Sequence, residues 1–382
     1  MTVANPILQI EEEFHQSIWM DNLSRDLIES GQLKELMGTR GILGITSNPA
    51  IFEKAIAGNK IYDADIAAGI KAGKSTLEIY ESLIFDDIRN ACDVLKPVYE
   101  KTKGLDGYVS IEVPPTMAKD TESTIKEAIR YYKAIGRENV MIKIPGTPEG
   151  LPAVEAVIAE GINVNVTLLF SVQSYIDTVW AYIRGLEKRV SEGKDISKIA
   201  SVASFFLSRI DVKIDKMLDA KLKEGVSEDT AGKLIALKGK IAIANAKVAY
   251  QEYKKIHAGD RWKALSAKGA TIQRLLWAST GTKNPDYSDV MYVDGLVGEN
   301  TVNTLPPDTI EACADRCDPA NRIESDLDTT YKYIETLKDS DVAIDLDRVM
   351  AELLEEGIDK FIKPFDSLMA SLETKVKQLA AV

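Results

Sequence analysis

The sequence predicts an α/β fold, a (β/α)8 barrel with additional helices that include a helical C-terminal extension. Two observations carry this. Eight short apolar or β-branched runs alternate with longer helical patterns between residues 17 and 304, a length in keeping with a closed barrel of roughly 250 residues plus insertions. The stretch "WMDNLSRDLIESG" after the first run holds neither a GxGxxG nor a Walker pattern, which argues against the rival, a doubly wound open sheet.

The eight runs are "SIWMD" (17–21), "GILGITS" (41–47), "YVSIEV" (108–113), "VMIKI" (140–144), "INVNVT" (162–167), "IASVASF" (199–205), "RLLWAS" (274–279) and "NTVNT" (300–304). Long helical excursions fill 57–105 and 208–265, and the segment from Pro319 onward reads as helices packed outside the barrel. Within that segment "AIDLDRV" has two aspartates at D-x-D spacing without the glycine and terminal glutamate of a calcium loop. No internal repeat or low-complexity tail is present. Residues 1–310 are therefore expected to form the barrel, with 311–382 an extension packed on it in the same domain.

Composition removes several function classes. With 45% hydrophobic and 28% charged residues, the chain can bury a large core. The net charge of −12 and the lack of a basic run make nucleic acid an unsuitable partner. No apolar stretch approaches the roughly 20 residues of a membrane span, and the N-terminus lacks a signal-peptide pattern, so a cytoplasmic location without membrane contact is expected. Cys92, Cys313 and Cys317 are odd in number and lack the second ligand pair of a zinc site. They are read as reduced thiols. His15 and His257 stand alone, so no metal site and no Ser-His-Asp triad is expected.

Strand parity then sorts side chains between helix-facing and lumen-facing positions. In "VMIKI" the outward set is Val140, Ile142 and Ile144, which turns Lys143 inward. The same rule turns Tyr108, Ser110 and Glu112 inward in the third run, and Asn163, Asn165 and Thr167 in the fifth. Trp19 and Asp21 face in from the first run, Thr46 and Asn48 from the second, where Pro49 ends the strand. Singly, each has an ordinary explanation: Lys143 as a snorkelling strand-end lysine, Asp21 as a helix cap, Asn48-Pro49 as a turn. Jointly, a lysine, two carboxylates, two amides and a hydroxyl converging on one barrel mouth would be a costly structural core.

That set of groups has a chemical use. Burial disfavours the charged form of an amine, and a free amine attacks carbonyls to form an imine. A neighbouring carboxylate can move the protons that imine formation and C–C cleavage require. No separate cofactor is needed, because the protonated imine is the electron sink.

The blocks "GITSNPAIFEKAI", "VMIKIPGTPEGLPAVEAVIAEGINVNVTLLFSVQSY", "SVASFFLSRID" and "RLLWASTGTKNP" followed by "TVNTLP" resemble the transaldolase family, in its longer bacterial form with a helical C-terminal extension. The resemblance implies transfer of a dihydroxyacetone unit from sedoheptulose 7-phosphate to glyceraldehyde 3-phosphate, giving erythrose 4-phosphate and fructose 6-phosphate, in the non-oxidative pentose phosphate pathway. By it, Lys143 matches the Schiff-base lysine, Asp21 the acid/base on the C4 hydroxyl, and Glu112 with Thr167 the pair that holds a proton-shuttling water. Asn48, Asn165 and Ser204 match positions that bind hydroxyls of the dihydroxyacetone unit, and Arg209 the main phosphate ligand. The second phosphate arginine of the family is absent as such; Lys283 stands near that position and would hold phosphate as a point charge. Sugar phosphates are the expected partners, with the chain a monomer or homodimer.

Two alternatives stay open on the residues. One is a class I aldolase that releases free dihydroxyacetone; by the same resemblance, Glu112 and the chain length favour transfer. The other is a barrel that binds a sugar phosphate without turnover, in which a desolvated amine at Lys143 would have no purpose.

Overall fold

A computed structural model describes residues 5–380; the outermost residues of the two expected ranges, 1–4 and 381–382, lie outside the described residues. Eight parallel strands close on themselves in sequence order: β1 (Gln16–Asp21), β2 (Ile45–Thr46), β3 (Val109–Glu112), β4 (Val140–Pro145), β5 (Val164–Leu169), β6 (Ser201–Phe206), β7 (Arg274–Ala278) and β8 (Thr301–Leu305). The barrel is shut by β1 against β8, with Gln16 opposite Thr301 and Met20 opposite Leu305. Val140, Ile142, Ile144, Val164 and Val166 are fully buried under the surrounding helices, the continuous apolar pattern of a parallel sheet covered outside.

The end of the barrel where the strands begin is plugged. Arg274 reaches across the lumen to donate to Ser17 Oγ at 2.7 Å, to the Leu105 carbonyl at 2.8 Å and to Asp106 at 2.9 Å. Asp106 also accepts from Ser17 Oγ and Trp19 Nε1, both at 2.8 Å, so both members of this buried ion pair have further hydrogen-bond partners. One layer up, the Trp19 ring fills the lumen against Gly44, where an added Cβ would stand 2.5 Å from the indole. The polar interior of the other end is therefore walled off from solvent below.

Strand ends shift from the expected runs, most clearly in two strands. β5 extends to Leu169 instead of ending at Thr167, because a register shift against β6 falls between Val166 and Leu169 and Leu168 takes a left-handed φ of 61°. β2 keeps only Ile45 and Thr46 as strand, although Leu43 and Gly44 still bond to the flanking strands. The "AIDLDRV" aspartate Asp345 accepts from the Arg348 amide at 3.1 Å and starts a helix, as a capping residue does.

The C-terminal helix, Leu346–Ala380, packs against the helices Pro49–Ile56, Asp63–Lys71, Thr76–Lys101 and Ser208–Lys223 and against the end of β5. It lies across the mouth of the barrel as well as beside it. The reading of three reduced thiols is overturned: Cys313 and Cys317 form a disulfide, and only Cys92 is a free, buried cysteine among the described residues. The helix Pro307–Arg316 ends at Cys317, whose backbone turns to φ −58°, ψ 145°. That exit brings the two Cα atoms to 4.6 Å, within bridging range. Among the described residues, no helix is long and apolar enough to cross a membrane.

Candidate active site

The strand register assembles the site at the C-terminal ends of the strands. Glu112 of β3 lies opposite Lys143 of β4, Lys143 opposite Asn165 of β5, and Pro145 opposite Thr167. Lys143 is 5% exposed and donates from Nζ to the Ser47 carbonyl at 2.9 Å. It ends inside the lumen, where a snorkelling lysine would reach for solvent. Asp21 closes the far side: it accepts from Thr46 Oγ1 at 2.8 Å, and Thr46 in turn meets Thr304 Oγ1 at 2.7 Å. Capping of the next helix, Arg25–Glu29, falls to Ser24, which leaves the Asp21 carboxylate for the lumen.

Burial dominates the electrostatics of both carboxyls. The Glu112 carboxyl is pushed up to about 7 by loss of water, with the Lys143 and Arg209 charges opposing. Both of its oxygens are buried without a hydrogen-bond partner in the protein, as is Thr167 Oγ1. Asp21 is also raised by burial, against the pull of Lys143, the Thr46 hydrogen bond, Arg209 and Lys283. A carboxyl titrating near neutrality can both give and take a proton.

Beside Lys143 the amides and hydroxyls form a chain. Ser204 Oγ donates to Asn165 Oδ1 at 2.6 Å, and Asn165 Nδ2 donates to Ser110 Oγ at 3.1 Å. Ser204 and Thr167 face the cavity; Asn165 is fully buried, orienting Ser204 from behind. Asn48 sits on the opposite rim, where its side chain accepts from the Ile51 amide at 3.0 Å and caps the helix Pro49–Ile56. The capping role and the place at the mouth are thus both true of this residue.

Arg209 is the second residue of the helix Ser208–Lys223. Its guanidinium lies between two aromatic faces, 5.1 Å from the Phe206 ring centroid and 5.9 Å from that of Phe361. Burial lowers its pKa from the ordinary arginine value against the pull of Asp21, Glu112 and Glu356. One of its terminal nitrogens is buried with no partner in the protein, so the group is held in place with donor capacity unspent. Lys283, in the loop after β7, lines the same cavity. That loop is fixed to the Arg209 helix by Tyr287, which donates to Asp215 at 2.7 Å, and by Tyr292, which donates to Asp211 at 2.7 Å.

These groups surround a cavity of about 820 Å³, large enough for a phosphorylated sugar. The comparisons with known proteins agree on its family. The model of the transaldolase/fructose-6-phosphate aldolase family matches residues 18–372. A transaldolase of Trichodesmium erythraeum is 72% identical over 380 residues, covering 100% of both chains. Transaldolase 2 of a Nostoc species is 70% identical over 379 residues and 99% of both chains, and a Mycobacterium leprae transaldolase is 43% identical over 380 residues and 99% of both.

The chain belongs to the transaldolase/fructose-6-phosphate aldolase family. Its relatives' shared name, transaldolase, makes it an enzyme of that class, and the barrel is the scaffold on which this family member carries its site.

Of the nine expected residues, the structure brings Asp21, Asn48, Lys143, Thr167, Ser204, Arg209 and Lys283 to the cavity wall. Glu112 lies beside Lys143 in register, and Asn165 lies behind Ser204. Sequence reasoning missed the roof: Glu352, Leu353, Glu356, Lys360 and Phe361 of the C-terminal helix, together with Lys213 and Lys216, also line the cavity. Strand parity is silent about a helix that arrives from the far end of the chain. The recurrence of Leu353, Gly357 and Phe361 every four residues marks one face of that helix, without saying what it faces.

Proposed function

We propose that this transaldolase-family enzyme transfers a dihydroxyacetone unit from sedoheptulose 7-phosphate to glyceraldehyde 3-phosphate through a Schiff base on Lys143. The products are erythrose 4-phosphate and fructose 6-phosphate. The setting is the non-oxidative pentose phosphate pathway in the cytoplasm. The observation that carries this reading is the buried Lys143 side chain with Glu112 as its register neighbour and Asp21 across the lumen, at the C-terminal mouth of the barrel.

The Lys143 amine attacks the C2 carbonyl, and Glu112 with Thr167 holds the water that shuttles protons while the carbinolamine loses its oxygen as water. The protonated imine then draws the electrons of the C3–C4 bond as Asp21 takes the C4 hydroxyl proton. An aldehyde phosphate leaves, and an enamine remains on Lys143. Its C3 carbon attacks the acceptor aldehyde, Asp21 returns the proton to the new hydroxyl, and hydrolysis of the imine frees the product. Ser204, positioned by Asn165, and Asn48 hold the dihydroxyacetone hydroxyls, while Arg209 with Lys283 holds the phosphate. The barrel and the helices after residue 310 act as one unit in this proposal.

The test replaces Lys143 with alanine. Transfer from fructose 6-phosphate to erythrose 4-phosphate should fall by on the order of a thousandfold or more, with the circular dichroism spectrum and thermal transition retained. Unaffected turnover in a folded variant would remove the mechanism. Measuring free dihydroxyacetone in the same assay separates transfer from release, the two activities that the family's name spans.

A further inference from the structure

The C-terminal helix enters the site through one turn. Phe361 is 4% exposed, and its ring centroid lies 5.9 Å from Lys143 Nζ and 5.9 Å from the Arg209 guanidinium carbon. One turn earlier, Gly357 lets the helix backbone come down onto the mouth. A Cβ there would stand 2.9 Å from Leu168 Cδ2 and 3.5 Å from an Arg209 guanidinium nitrogen. Leu168 is the left-handed residue at the β5 irregularity, immediately after Thr167. A non-glycine residue in that conformation is held there at a cost by its surroundings. At the cavity wall Lys213 pairs with Glu352 at 2.9 Å and with Glu356, and away from the cavity Lys119 pairs with Glu355 at 2.7 Å, tethering the helix on both flanks.

We propose that Phe361, seated by Gly357, is the residue that favours transfer over release, by keeping water from the enamine on Lys143 during the interval between aldehyde departure and acceptor arrival. The inference rests on the imine reading. In that interval, release competes with transfer. The enamine carbon C3 takes a proton from an acid at the mouth, water adds to C2 of the resulting imine, and the C–N bond breaks. The sum is enamine plus one water giving dihydroxyacetone plus the free Lys143 amine. The acceptor aldehyde and the proton therefore compete for C3 of one intermediate, and an apolar ring over Lys143 lowers the supply of water that would relay that proton from the mouth, without touching the reacting carbon. Phe361 is a positioning residue, and its effect belongs in a ratio of two outcomes of the same intermediate.

The experiment measures free dihydroxyacetone and transfer product together, from fructose 6-phosphate with and without erythrose 4-phosphate, in Phe361→Ala, Phe361→Leu and the unsubstituted enzyme. Borohydride trapping of Lys143 is run in parallel. Phe361→Ala is expected to raise the release-to-transfer ratio by about tenfold while the trapped adduct persists, and Phe361→Leu, which restores apolar bulk, to bring the ratio most of the way back. Gly357→Ala provides a second route if Phe361→Ala does not fold: by lifting the helix off Leu168 and Arg209 it should shift the ratio in the same direction. An unchanged ratio with a normal adduct, or equal loss of both activities, would overturn the role of Phe361 and leave the imine reading intact. Failure to trap any adduct in the unsubstituted enzyme would overturn both.

Discussion

Glu112 and Lys143 face each other across β3 and β4, and the cost of burying the carboxyl is the clearest residue-scale sign of a site selected for chemistry over stability. With both Glu112 oxygens unpartnered, its carboxyl rises from 4.5 to about 7. Between those values the folded chain binds more protons at Glu112 than the unfolded chain, so its contribution to stability is fully present below 4.5 and is lost as pH rises through about 7. At roughly 1.4 kcal/mol per tenfold change, the loss is about 3 kcal/mol. Glu112→Gln, which has no charge to desolvate, should therefore raise the thermal midpoint more at about pH 8 than at about pH 5. It should also abolish a rise in kcat/KM between about pH 6 and pH 8, the range in which a proton-shuttling carboxylate becomes available. A parallel pH dependence of stability in the two proteins would contradict the assignment. Lys143, Asp21 and Glu112 were legible because a parallel strand allots alternate side chains to the lumen. The supporting part of Asn165 was not, because parity gives direction and not depth.

At the scale of elements, the eight strands were readable as short apolar or β-branched runs between helical patterns, and β3, β4 and β5 also by their apolar outward faces, while their ends were less so. The Leu168 irregularity lengthens β5 through a backbone conformation that no residue type in "TLLF" announces. β2 keeps only Ile45 and Thr46 as strand, and just before it Gly44 gives up a side chain so that Trp19 can fill the lumen. Gly44→Ala should force the indole or the strand to move and cost about 1–3 kcal/mol, read as a lowered denaturant midpoint with unchanged slope. Wild-type stability in that variant would mean the lumen is looser than the packing of Trp19 indicates. The Cys313–Cys317 bond shows the same boundary of sequence reasoning: whether two cysteines four apart are bridged depends on where the helix ends, and here it ends at Cys317.

At the scale of the whole molecule, the candidate active site is made by two distant parts of the chain. The barrel strands supply the floor, and the helix Leu346–Ala380 supplies the roof over Arg209 and Lys143. The floor could be anticipated because topology brings consecutive strands together in order, whereas the docking of a terminal helix depends on long-range packing. Lys213 is the connecting case: as a helix lysine it reads as solvated surface, yet it lines the cavity and ties the roof down through Glu352 and Glu356. On the proposed mechanism, catalysis runs through a covalent bond to Lys143. The most direct test is borohydride reduction in the presence of fructose 6-phosphate, followed by peptide mass mapping. A dihydroxyacetone-derived adduct confined to the peptide that contains Lys143 is the predicted result; no adduct, or one on a different lysine, would contradict the account.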